Sequence, residues 1–507
     1  MQVAVILAVF LALEAAETVG SGEGVGGWVL VAPRGVWAML GGATLVAWSL
    51  LRAVNKWAAG RVSRAEGFLG QGLRLPGRVE LLGRGLILGV YAAELTAGGW
   101  ARQVEGQWQL GRYVLADELA LLAPFAVLAL VHWHCHYPVN RRVREYVVAG
   151  QLAEGLAARP VWGRRQYMAF QARGSLGVVL APLLLILGVR DAVEQVAAGL
   201  GGAGAGSAWA VEGATAAGAG VVFVLAPVLL KRIWQTRPLP AGPLRERLEG
   251  LCRRIGLRCR EILLWETYSA VANAAVMGLV RPVRYVLLSD ALIENVADEQ
   301  IDAVFGHEAG HVRGHHILFL GLFVAGASLL AAVLSELVWR GAGAMVESAD
   351  KAGMVQDPAG WERWREWLMY GWLGVLLTVG AGLFGWVSRR FERQADVYAA
   401  KMVEAEWAGG QEGSGPGVSD PLGPHGAYVV GATLIRVALL NGVSAEARSW
   451  RHSSVAGRVS FLRRLSEKEG ELAGFERVVR RLKSAIVAGL AAGAAGLGAL
   501  YWWGRGG

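Results

Sequence analysis

The sequence predicts a mainly α-helical protein: a polytopic membrane bundle of about eight or nine spans carrying a polar region with a small β element. Three observations predict it. Of 507 residues, 54% are apolar and 18% charged, and the mean hydropathy is +0.38, too apolar for an ordinary soluble enzyme. Runs approaching the roughly 20 apolar residues that cross a bilayer core recur along the chain. The 71 Gly and 21 Trp fit the same setting, because small residues let membrane helices approach closely and Trp collects at lipid headgroups.

Residues 1–13 form the first apolar run. No Lys or Arg precedes it, so it reads as an uncleaved span rather than a signal peptide. Residues 37–51, 119–133, 175–189 and 213–230 are short runs nearly free of charge. Residues 85–100 are weaker, since Glu94 lies inside the run and must face other helices or a watery cavity. Residues 317–338, 367–387 and 484–503 are the clearest spans. The 50 Lys and Arg exceed the 41 Asp and Glu by nine, which could suggest nucleic acid. The excess instead crowds 52–84 and 134–174, whereas 101–116 holds only Arg102 and Arg112, and 190–212 only Arg190. Cytoplasmic loops carry such an excess. The alternation divides the chain into amino-terminal membrane helices (1–231), a cytoplasmic segment (232–316), a transmembrane hairpin (317–387), a second cytoplasmic segment (388–483) and a last span (484–507). It makes the lipid bilayer, not nucleic acid, the expected partner. Residues 408–424, rich in Gly, Pro and Ser, read as a flexible loop. Cys135, Cys252 and Cys259 form no Cys-x-x-Cys pair and read as reduced thiols.

The chemistry concentrates in residues 298–316, a helical pattern that leads into the span beginning near Ile317. His307 and His311 are four apart, so both imidazoles project from one helical face and can share one Zn²⁺, with Glu308 beside them to move protons. A metzincin would place a third His at position 317, but that residue is Ile, so a distant carboxylate must complete the site. Glu392 is the candidate. The hairpin of spans 317–338 and 367–387 returns it to the same side of the membrane, and Asp396, one turn on, can take a ring N–H from a ligand His.

Four blocks carry a family resemblance: Tyr268 to Gly278, His307 to His311, Ser388 to Ala399, and Trp450 to Arg458. The chain resembles the membrane zinc metallopeptidases that include the CAAX prenyl endopeptidases and the HtpX proteases. The resemblance implies a zincin-like peptidase region of gluzincin type, with His307, His311 and Glu392 as zinc ligands; the loop charges put that region at the cytoplasmic face. It makes Glu308 the general base and acid, and puts Asp396 behind the ligands. It turns Asn273 and Ala274 into an edge strand that pairs with substrate main chain. His452 and Arg458 match the spacing of a block whose donors steady an oxyanion, although Ser453 stands where the family has Pro.

The expected function is zinc-dependent hydrolysis of peptide bonds in membrane-associated, lipid-modified or misfolded polypeptides, at the cytoplasmic face of a membrane such as the bacterial inner membrane. Two alternatives stay open. One is a sensor peptidase that cleaves a dedicated regulator, disfavoured by short outer loops; the other is a catalytically silent scaffold. Two His clusters lie outside this scheme. His132, Cys135 and His136 share a helical face and could hold a second metal, or could be amphipathic side chains at headgroup level. His315 and His316 read as interfacial polar residues.

Overall fold

The computed structural model describes every residue except 21–31, 65–73, 154, 156–159, 200–204, 352–357, 410–421, 448, 450, 469 and 507. Most of the expected flexible loop 408–424, and Trp450 of the fourth block, therefore lie outside the described residues. The amino-terminal half is helical: α1 (Gln2–Gly20), α2 (Val36–Arg64), α3 (Arg74–Leu95), the single turn α4 (Trp100–Arg102), α5 (Ala116–Ala153), α6 (Arg164–Gln171), α7 (Val178–Gly199) and α8 (Ala205–Ile233). A small α/β region follows: β1 (Thr236–Pro238), α9 (Pro243–Arg254), β2 (Glu261–Trp265), β3 (Ala274–Met277), β4 (Tyr285–Ser289), α10 (Asp290–Asn295) and α11 (Asp298–Arg313). The chain ends in α12 (His316–Lys351), α13 (Pro358–Trp407), α14 (Pro424–Leu440), α15 (Val455–Glu467) and α16 (Glu471–Gly506).

Among the described residues, eight helical segments are long and apolar enough to cross a membrane. They are α1, α2, α5, the continuous α6–α7 rod, α8, α12, α13 and α16. Their outer faces show why: Leu45, Leu225, Val324, Leu337 and Leu383 are exposed, an apolar girdle that water would not tolerate over such an area and lipid would. The expected weak run 85–100 needs correction. Its helix, α3, ends at Leu95, the chain turns over Thr96–Gly98, and Trp100 opens a new turn after Gly99 at φ +72°. Glu94 is buried among other helices, as its place in an apolar run requires.

Two cores organise the molecule. One joins α1, α2, α3 and α5 around Leu51, Ile87, Tyr91, Phe125 and Trp133. The other lies under the polar region, where Leu248, Val286, Leu288, Phe305, Ala399 and Leu462 tie α9, the sheet, α11, α13 and α15 together. The sheet order is β1-β2-β4-β3, with β2 and β4 parallel and the outer pairs antiparallel. Strand β4 reads Tyr-Val-Leu-Leu-Ser and is buried at every position, as a central strand must be. Strand β3 is left as an edge. Helix α10 starts where the Ser289 side chain accepts from Leu292 N, and α15 where Ser454 accepts from Gly457 N, both N-caps that satisfy an otherwise orphaned amide.

Two glycines set the close approaches that build the site. A Cβ on Gly310 would stand 2.9 Å from Ala395 Cα, so this glycine lets α11 and α13 touch backbone to backbone. Gly278, at φ +97°, turns the chain out of β3 where a Cβ would strike the Val283 carbonyl. Behind the hairpin, α16 packs along α12, with Gly493 and Gly496 lying against Leu329 and Val333, a small-residue seam of the kind that brings membrane helices together.

Candidate metal centre and active site

Helix α11 turns His307 and His311 toward α13 and Glu308 toward β3, and the returning α13 brings Glu392 and Asp396 to meet the two rings. The ligating atoms of His307, His311 and Glu392 all lie within 4.8 Å of one another. The two Nε2 atoms are 3.2 Å apart, and Glu392 reaches within 3.7 Å of each, through Oε2 to His307 and Oε1 to His311. Donors around a tetrahedral zinc, at roughly 2.0–2.1 Å from the ion, stand roughly 3.3–3.4 Å apart, so the spacing fits.

The hydrogen bonds behind the rings fit as well. His307 Nδ1 lies 2.9 Å from Asp396 Oδ1; a carboxylate only accepts, so Nδ1 carries the proton and Nε2 presents a lone pair. His311 Nδ1 lies 2.9 Å from His316 Nδ1, and His316 Nε2 lies 2.9 Å from Gln394 Oε1. The Gln394 carbonyl oxygen accepts from His316 Nε2–H. His316 Nδ1 must then accept from His311 Nδ1–H, which leaves a lone pair on His311 Nε2. Two lone pairs and a carboxylate facing one point repel unless a cation sits between them. The donor set suits Zn²⁺.

His316 corrects the sequence expectation. It is 1% exposed, stacks on Phe391 at 4.5 Å, and holds a ligand ring instead of greeting the headgroups. The adjacent His-His pair gave no signal of this, because the partner that buries it, Gln394, is 78 positions away. Losing an outer partner of a metal ligand costs about 10–100-fold in metal affinity. His316→Leu is therefore expected to bind zinc about 10–100-fold more weakly in chelator competition. His316→Asn, whose Oδ1 falls near the lost acceptor, recovers part of it; equal affinity in all three proteins would refute the hydrogen-bond chain.

Asp396 is fully buried and serves two partners. Besides His307, it accepts from Arg458 Nε at 2.7 Å and Nη2 at 2.5 Å. Arg458 Nη1 also lies 3.7 Å from Glu392. The side of the guanidinium formed by Nε and Nη2 thus holds the carboxylate behind the His307 ring, and Nη1 lies toward Glu392. His452 is half-exposed at the cavity, with Nδ1 2.9 Å from Glu392 Oε1. Burial opposes a charge on His307, but the Asp396 carboxylate outweighs it and raises the ring's pKa. Burial and the neighbouring His307 push His311 down to about 3.

Glu308 meets the sheet. Burial pushes its carboxyl up to about 7, and its Oε2 accepts from Val276 N at 3.0 Å. Val276 lies in the edge strand, so the base rests on an outward amide of β3. The cavity in front, about 550 Å³, is lined by Asn273 and Ala274 as well as the cage. Asn273 is exposed there, and its backbone is fixed to Ser289 on both sides, N–H to Oγ and carbonyl to N–H. The far wall is apolar, with Ile317 and Leu320 at the mouth of α12 and Val430, Leu434 and Val437 on α14.

The other His cluster does not gather ligands. His136 Nδ1 bonds Asn55 Oδ1 at 2.8 Å, His132 stacks on His136 at 5.7 Å, and Cys135 Sγ points to the Trp48 carbonyl. All three residues are buried within the bundle. The three cysteines are unpaired thiols, as expected.

Residues 238–412 match the model of peptidase family M48. The chain is similar to CAAX prenyl protease 1 of Saccharomyces cerevisiae, 27% identical over 32% of this chain and 39% of the relative. It is also similar to an Arabidopsis thaliana CAAX prenyl protease 1 homolog, 30% identical over 37% and 43% of the two chains. A protease HtpX homolog of Aeropyrum pernix is 28% identical over 27% and 47%. This chain thus spans about two fifths of the length of the first two relatives. The crystal structure of S. mikatae Ste24p aligns over 84% of this chain and 98% of that one, at 13% identity and a TM-score of 0.45.

Proposed function

We propose that this integral multi-pass member of the M48 membrane metallopeptidases is a zinc-dependent endopeptidase that cleaves membrane-associated polypeptides at the cytoplasmic face. The observation that carries the reading is the convergence of His307, His311 and Glu392 with Glu308 alongside. Zn²⁺ held by those three residues supplies Lewis acidity toward the scissile carbonyl and makes a nearby water easier to deprotonate. Every other step falls to the chain. An extended substrate adds to β3, whose Ala274 and Val276 face away from β4, and the new main-chain bonds recognise peptide without reading its sequence. To pair with Val276 N–H the substrate displaces Glu308, which frees the carboxylate as it is needed. Glu308 then takes a proton from the attacking water and passes it to the leaving nitrogen. His452 donates one ring N–H to Glu392, so it can offer a second to the oxyanion only when doubly protonated. Asp396, Arg458, His316 and Gln394 hold the rings still.

The apolar wall at Ile317 and Leu320 continues into the span α12, which supports substrates that arrive from the bilayer, including lipid-modified tails. Basic residues near the same end, such as Arg141, Arg142, Arg389 and Arg390, support the cytoplasmic orientation. The test is metal dependence: the purified protein is expected to carry about one zinc per chain and to cleave an unfolded polypeptide, to lose activity on chelation, and to regain it with zinc. Activity that survives complete removal of zinc would overturn the proposal.

A further inference from the structure

At the end of the bundle that meets the peptidase region, α2, α5 and α6 enclose a cationic cavity outside the catalytic site. It measures about 290 Å³ and is lined by Trp48, Arg52, Lys56, His134, Pro138 and Arg164 among others. A second cavity of about 430 Å³ shares Pro138 and Arg164 with it and adds Arg141 and Arg142. The one carboxylate in the pair, Glu145, is already held by Arg141 at 2.8 Å and Arg142 at 3.1 Å. Among the described residues, no carboxylate pairs with Arg52, Lys56 or Arg164.

The cations are held in place without an anion. The Arg52 guanidinium lies 5.2 Å over the Trp48 ring, and that of Arg164 lies 5.2 Å over Tyr137. Arg164 Nη1 also sits 3.4 Å from His134 Nε2. Aromatic support leaves the planar fork free to grip two oxygens of one phosphate. Pro138, inside α5, lacks the amide that would bond the carbonyl of His134, and this interruption of the helix lies on the wall of both cavities. Along α2, Leu45, Trp48, Arg52 and Lys56 recur at helical spacing on one face, so the exposed Leu45 and the half-buried Trp48 lead to the cationic pocket. Apolar surface followed by paired cations is the complement of an amphiphile, and basic pockets between membrane helices suit anionic headgroups.

We propose that this pocket binds the phosphodiester headgroup of an anionic phospholipid, with an acyl chain lying along Leu45 of α2. The test uses the full-length protein in neutral detergent, titrated with short-chain phosphatidylglycerol, short-chain phosphatidylcholine or inorganic phosphate while Tm and calorimetric binding are read. Saturable stabilisation by phosphatidylglycerol, at least about tenfold tighter than by the other two, is expected. The triple variant Arg52→Gln, Lys56→Gln, Arg164→Gln should lose at least about tenfold in that affinity while keeping its lipid-free Tm, zinc content and proteolysis. The single variant Arg164→Gln should show an intermediate loss, and Arg61→Gln with Arg78→Gln, outside both cavities, none. Equal binding of phosphatidylcholine would mean that no headgroup is read. Inorganic phosphate acting as strongly as the lipid would mark a free-anion site, and undiminished binding in the triple variant would place the lipid elsewhere. Each of these three results overturns the proposal.

Discussion

Glu308→Gln is expected to lower kcat/KM by at least about 10²–10⁴-fold, the range a positioned general acid–base group contributes, while the protein keeps its full complement of zinc. The amide retains the size of the carboxyl and lies outside the ligand set of His307, His311 and Glu392, so metal content should not move. Proteolysis near the wild-type rate in a zinc-loaded Glu308→Gln protein would remove Glu308 from the mechanism. A second readout concerns pH. The buried carboxyl is pushed up to about 7 in the metal-free protein, so folding favours its neutral form, and that contribution is present at low pH and lost as pH rises through about 7. Metal-free Glu308→Gln, which has no charge to bury, should accordingly melt higher than the metal-free parent above pH 7 and no higher near pH 4. In the loaded enzyme the neighbouring cation draws the carboxyl pKa down, so kcat/KM should fall with acid along a limb that lies below pH 7. The same substitution also makes a trap, because a chain that docks on β3 and is not cut remains associated for identification.

Hydrophobic run length was enough to locate the spans, because a bilayer demands apolar side chains on every lipid-facing position whatever the helix contacts. It failed where a helix is sheltered by protein. Helix α3 opens with Arg74, Arg78, Glu80 and Arg84, too charged for lipid, yet Ile87, Tyr91 and Glu94 are buried in the first core. Of the site, the ligand cage was legible because its residues are four apart on single helices, and because a hairpin must return its two ends to one side. His316 and Gln394 were not legible. Their bond joins the first residue of α12 to α13 across 78 positions, a contact that leaves no periodic trace in the chain. Arg458 was assigned by spacing alone, which conveyed that it is near the cage but not that two oxygens of Asp396 already occupy its fork.

That occupied fork gives the largest expected effect on stability. Asp396 is fully buried and Arg458 nearly so, and removing Asp396 leaves Arg458 with only the Glu392 carboxylate, 3.7 Å away; breaking a buried pair costs about 3–5 kcal/mol. Asp396→Ala should therefore lower the melting temperature sharply and weaken zinc binding about 10–100-fold by releasing the His307 ring. Asp396→Asn separates the two tasks. Its Oδ1 can still accept from His307 Nδ1–H, so zinc affinity should suffer less than in the alanine variant, whereas the lost charge leaves Arg458 nearly as exposed to desolvation. Combining Asp396→Asn with Arg458→Met removes both charges, and the pair should be more stable than the sum of the single effects implies, since neither buried ion is left alone. Strictly additive losses would mean that the two side chains do not act as a unit.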